Sequence, residues 1–79
     1  MAQEFKYEIV QHLAVLSEIN NTTKELNVIK YNGSPAKYDL RTWKQQDGEK
    51  KMLKGITMTA EEAIALRDVL NALPDIQES

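Results

Sequence analysis

The stretch Lys37-Tyr38-Asp39-Leu40-Arg41-Thr42-Trp43-Lys44 has a period of two. Tyr38 and Leu40 point one way and Lys37, Asp39, Arg41 and Trp43 the other, because successive side chains leave opposite faces of a β-strand. The strand starts at Ala36 and presents one apolar face and one basic, aromatic face. Just before it, Asn32-Gly33-Ser34-Pro35 joins residues that tolerate positive φ to a proline that cannot donate to a ladder, so it closes a hairpin. The preceding strand holds Leu26, Val28, Ile29 and Tyr31. Its apolar side switches between Val28 and Ile29, which predicts a bulge or twist there. Asn20-Asn21-Thr22-Thr23 is a polar turn. Ahead of it, Phe5, Tyr7, Ile9, Leu13 and Val15 occupy odd positions, with Lys6, Glu8, His12 and Glu18 at even ones. That alternation reads as one strand bent near Gln11 and His12, or as two short strands meeting there.

Downstream, residues 45–51 read as a charged loop containing Gly48, and residues 53–58 as a fourth strand interrupted by Gly55. Thr59 followed by Glu62 has capping-box spacing, and Glu61 and Glu62 meet the positive end of a helix dipole. Ala63, Leu66, Val69, Leu70 and Leu73 lie within about 120° on a helical wheel, so one side of this helix packs and the other is wet. Pro74 stops it, leaving residues 74–79 as a frayed tail. Strands first and one helix last define an α+β domain, an antiparallel sheet with a helix on one face.

Seventy-nine residues without cysteine allow one small domain, residues 1–79, and exclude disulfides, thiolate metal sites and cysteine nucleophiles. A chain so short has a thin core, and dimerisation is the expected way to bury more surface. The polar start, Met1-Ala2-Gln3-Glu4-Phe5-Lys6, has no apolar signal region, and no 18 apolar residues run together, so neither secretion nor a membrane partner is expected. The net charge of -2 hides a partition: residues 30–54 carry seven basic and three acidic side chains, while residues 55–79 carry Arg67 against five acids.

Catalysis finds little support. His12 is the one histidine, and Glu61 and Glu62 are explained by the helix dipole. Gly33, Gly48 and Gly55 are isolated, with no phosphate-cradling pattern. No enzymatic activity, cofactor or metal is expected. Binding of an extended polyanion fits better. Lys37, Arg41 and Trp43 follow one another on one strand face at four- and two-residue spacings, about 13 and 7 Å, suited to phosphates for the cations and to base stacking on the indole. Trp43 at a dimer or sheet core is the competing reading. Asp39, set among the cations, is expected to orient Arg41 or Lys37.

Tyr38-Asp39-Leu40-Arg41-Thr42-Trp43, a short charged loop, then Lys54-Gly55-Ile56-Thr57-Met58-Thr59 and a helix resemble the positive cofactor 4 family, most closely its short bacterial members. The resemblance runs from Lys37 to Leu73, with a looser match at Leu13-Ala14-Val15-Leu16-Ser17-Glu18-Ile19. It implies a strongly curved four-stranded antiparallel sheet followed by one C-terminal helix, dimeric, with grooves for unwound DNA. Arg41 and Trp43 correspond to the family's basic and base-stacking pair, and Lys54 to its basic residue before the Gly-Ile-Ser/Thr turn. Lys37 and Lys44 flank the same surface, with Lys24 and Lys30 as outer contacts. Relative to the eukaryotic members, one residue fewer separates Arg41 from Trp43, and a one-position slip turns a side chain to the other face.

The expected function is therefore non-sequence-specific single-stranded DNA binding in transcription regulation, replication or repair, by a homodimer in the bacterial cytoplasm associated with the nucleoid. The alternatives are a protein-interaction module that docks its acidic helix face, Glu62, Arg67 and Asp68, on transcription or replication proteins, and a general binder of single strands that includes RNA.

Overall fold

Asparagine and aspartate set the three turns between the strands. Asn20 (φ 48°), Asn32 (46°) and Asp47 (54°) all adopt left-handed backbone, and Gly33 (82°) and Gly48 (78°) follow two of them. Consecutive positive φ values match the twist of a two-stranded ribbon. In the computed structural model, which describes residues 6–73, these turns link β1 (Tyr7–Ile19), β2 (Thr22–Tyr31), β3 (Lys37–Gln46) and β4 (Glu49–Met58), ahead of α1 (Ala60–Ala72). The sheet is an antiparallel meander in the order β1-β2-β3-β4. None of the described helices is long and apolar enough to cross a membrane.

The α+β architecture agrees with the sequence reading; three details differ. Residues 45–51 form no loop, because a two-residue Asp47-Gly48 turn lets both flanking strands extend to Gln46 and Glu49. Polar residues on both sides of that ribbon leave no amphipathic signal. The irregularity expected inside β2 lies in its neighbour. β2 pairs with β3 in unbroken register from Thr22↔Lys44 to Ile29↔Lys37, whereas Ile9 faces Ile29 and Gln11 faces Val28, so Val10 is an extra residue in β1. Leu13 and Leu16 are extra in the same way, so β1 is one strand with three bulges. The tail expected at residues 74–79 lies outside the described residues, as does Phe5.

The sheet is strongly curled. Tyr7 pairs with Tyr31 at one end of β2 and Trp43 with Thr23 at the other, eight residues and two strand spacings apart, or about 26 Å by 10 Å in a flat sheet. Their ring centroids are nonetheless 5.8 Å apart. The concave side buries Ile29, Trp43, Glu25, Asn27 and Asp39 with no covering helix. At Gly55 β4 approaches β3 so closely that a Cβ there would lie 1.9 Å from the Arg41 Cβ.

On the opposite, convex side α1 lies beside Tyr38, Leu40 and Met58, opened by the predicted capping box. Thr59 Oγ1 accepts from the Glu62 amide at 3.1 Å, and the Thr59 amide donates to Glu62 Oε1 at 2.8 Å. The apolar stripe does not close down on the sheet. No residue of α1 is buried, and an apolar groove of about 480 Å³ runs between Leu26, Leu40 and Met58 on the sheet and Ala63, Leu66 and Leu70 on the helix.

Candidate nucleic-acid interface

Cations divide between the two sides of the sheet, and two of the concave ones, Arg41 and Lys50, are already neutralised. Asp39, 0% exposed, accepts from Arg41 Nε and Nη2 at 2.7 Å each and from the Tyr31 hydroxyl at 2.7 Å. Arg41 Nη2 also reaches the Tyr31 oxygen at 2.9 Å, and Nη1 donates to the Leu53 carbonyl at 3.0 Å. Four bonds thus engage a guanidinium that has five N–H donors. Its hydrogen bond with Asp39 holds Arg41 above its ordinary pKa against the effect of burial. Burial and the bond to Asp39 push the Tyr31 hydroxyl up to about 12.

A second buried acid recruits a second cation. Lys50 Nζ donates to Glu25 Oε1 at 2.7 Å, Thr23 donates to Oε2, and His12 Nδ1 stands 3.7 Å from Oε1 and 2.7 Å from Asn27 Oδ1. Burial opposes ionisation of Glu25, but the hydrogen bonds from Lys50 and Thr23 outweigh it and hold the carboxyl below its ordinary range. Lys50 also lies 5.4 Å from the centre of the Trp43 ring. The expectation that Arg41 and Trp43 project from an uncovered surface is therefore corrected. They share a face, as read, but Trp43 is 1% exposed, its indole beneath Tyr7 and Lys50, and the Arg41 side chain is 12% exposed. Curling of the sheet closes this face without a covering element. The indole nitrogen has no hydrogen-bond partner among the described residues.

The convex side is split. One half is apolar, with Leu26, Leu40 and Ile56 aligned in one row and Val28, Tyr38 and Met58 in the next. In the other half, Lys24 faces Thr42, and Thr22, Lys44 and Lys51 lie in register. Between Arg41↔Gly55 and Trp43↔Met52 the register shifts, so Thr42 alone opposes both Leu53 and Lys54. Lys24, Thr42 and Lys54 line one depression of about 380 Å³, and Ser17, Thr22, Lys24 and Thr42 an adjoining one of about 190 Å³. None of the ion pairs among the described residues involves Lys24, Lys44, Lys51 or Lys54.

Of the residues singled out from sequence, the fold thus brings Lys24, Lys44 and Lys54 together. Lys37 stands on the concave side opposite Ile29, so it and Lys44 occupy different faces. Lys30 is convex but lies beyond the apolar rows, opposite Glu8. Lys51 was missed, because it joins the group only once β4 extends back through the turn; Asp47-Gly48 was the available signal.

A sequence model of the Transcriptional Coactivator p15 (PC4) family matches residues 18–69. Over 71 residues the chain is 42% identical to an uncharacterized protein of Treponema pallidum (strain Nichols), an alignment covering 89% of this chain and 81% of that one.

Proposed function

Because the chain belongs to the Transcriptional Coactivator p15 (PC4) family, we propose that it binds single-stranded DNA without reading base sequence, along the cationic half of its convex face, and that it does so as a homodimer. The observation that carries this reading is the partition of charge. Arg41 and Lys50 are consumed by buried acids, while Lys24, Lys44, Lys51 and Lys54 lie around Thr42 with no acid paired to them among the described residues. Lys44 and Lys51 stand directly opposite each other, an arrangement that costs stability on its own and that a bridging phosphate relieves. The Thr42 hydroxyl supplies a further donor to phosphate or sugar, whereas that of Thr22 is already donated to the Ile19 carbonyl at 2.7 Å. With the indole of Trp43 enclosed, the apolar surface beside these lysines comes from Leu53 and Ile56, both exposed. The open apolar stripe of α1 and the groove beside it support self-association, since so small a chain gains by burying them.

Fluorescence anisotropy of labelled oligothymidine across a salt series tests this. Each phosphate neutralised on a single strand contributes about -0.7 to the slope of log affinity against log salt, so four contacts give about -2.8. Lys44→Gln and Lys54→Gln should each make the slope shallower by about one contact. Affinity independent of salt, or equal affinity for duplex of the same length, would overturn the reading.

A further inference from the structure

Arg41 lies on the opposite face from the lysines, yet one of its donors ends on the backbone of the segment that carries Lys54. A bulge leaves polar groups of the longer strand without ladder partners. Here β4 is the longer strand, with Leu53 and Lys54 opposite Thr42, and the Leu53 carbonyl finds its partner in Arg41 Nη1 at 3.0 Å. The guanidinium delivering that bond is fixed from the other side by two bonds to Asp39 and one to the Tyr31 hydroxyl. Gly55 completes the arrangement, since any Cβ there would collide with the Arg41 Cβ and with the Leu40 carbonyl oxygen, 2.6 Å away. The bulge therefore has a defined shape, and that shape turns Lys54 to the convex face beside Lys24 and Thr42.

From this geometry we infer that Arg41 is a positioning residue for nucleic-acid binding: it holds the Leu53 carbonyl, fixes the bulge, and thereby aims Lys54 at phosphate without touching the strand itself. The inference rests on the single-strand reading above and adds to it a division of labour between the two faces. A guanidinium with four of its five donors occupied and its charge matched by a fully buried carboxylate has little left to offer a phosphate. Lysine in its place keeps the charge but has no planar fork to span Asp39 and Leu53 together.

The two roles predict opposite results in the same titration. Oligothymidine affinity and salt slope are measured for the parent, Lys54→Gln, Arg41→Gln, the double variant, Arg41→Lys and Asp39→Asn, each below its melting temperature. Positioning predicts that Arg41→Gln weakens binding as much as Lys54→Gln and makes the slope shallower by about 0.7, and that the double variant is no weaker than Lys54→Gln alone. Asp39→Asn weakens binding too, although it makes the protein less negative. Direct contact predicts an additive double variant, shallower by about 1.4 in slope, parental binding by Arg41→Lys, and tighter binding by Asp39→Asn; any of these overturns the inference, as does parental binding by Arg41→Gln. Should Arg41→Gln not fold, Arg41→Lys decides, with loss of affinity expected. Failure of the parent to bind single strands would refute the proposed function instead, a distinct result.

Discussion

Replacing Gly55 with alanine adds one methyl group where β4 runs close against Arg41 of β3. Its φ is not in the left-handed region, so the cost is steric alone. The new Cβ would lie 1.9 Å from the Arg41 Cβ, 2.6 Å from the Leu40 carbonyl oxygen and 2.7 Å from the Arg41 Cα. These are backbone or near-backbone atoms with no flexible end to swing aside. Ordinary contact begins at 3.4 Å, so the strands must part by about 1.5 Å, enough to break any hydrogen bond that starts near 3.0 Å. Two neighbouring ladder bonds at about 1 kcal/mol each, and the charge-assisted bond from Arg41 to Leu53 at about 1.5 to 3 kcal/mol, are then at stake. Alanine recovers about 0.5 to 1 kcal/mol through lower backbone entropy in the unfolded chain. A net loss of about 3 kcal/mol remains, equivalent to roughly 12 to 24 °C in melting temperature for a domain of this size. Thermal and urea unfolding followed by circular dichroism, at one fixed protein concentration, measures it. Gly48→Ala serves as the control: nothing lies within 4 Å of its Cβ position, and only its φ of 78° resists, a cost of about 1 to 2 kcal/mol. A Gly55→Ala protein within 1 kcal/mol of the parent would refute the close-approach argument.

Other expectations concern ionisation and capping. Tyr31 titrates near 12 in the fold against about 10 unfolded. Its contribution is therefore complete below pH 10 and lost as pH rises towards 12, and urea midpoints over that window should fall less steeply for Tyr31→Phe than for the parent. Glu25 shifts the other way, its folded pKa lying below 4.5. Its contribution is complete above pH 4.5 and lost as pH falls through the lowered value, so Trp43 fluorescence, which reports the lid formed by Lys50, should show an acid transition that Glu25→Gln removes. Thr59→Ala deletes the acceptor for the Glu62 amide and should lower stability by about 1 kcal/mol in urea unfolding.

Local chemistry made much of the fold readable. The alternation of residues 37–44, the Asn32-Gly33 turn and the Thr59–Glu62 cap each act over a few residues, and each is found in place. Side-chain direction at the site was less accessible, because it depends on non-local events. The extra residue in β4 decides that Lys54 shares a face with Lys24, yet residues 53–58 alone carry no sign of where β3 inserts its single partner. Burial of Trp43 follows from the curl of the whole sheet, which brings Tyr7 from 36 residues away in the chain over the indole. The sequence offers Asp39 either Arg41 or Lys37 as its partner, and the fold selects Arg41; Tyr31 carries no such signal, since it reaches them only through that curl.

The three extra residues of β1 bear on a hazard that the sheet would otherwise carry. This strand is an outer edge of 13 residues, exposing Ile9, Val10, Val15, Leu16 and Ile19, and a long greasy edge of that kind is a template for runaway strand addition between molecules. Val10, Leu13 and Leu16 break it into runs of two or three regular residues. A strand arriving from another molecule would have to reproduce the same three irregularities in step to zip along it. The residues that bend the sheet thus also protect the protein against fibril-like stacking.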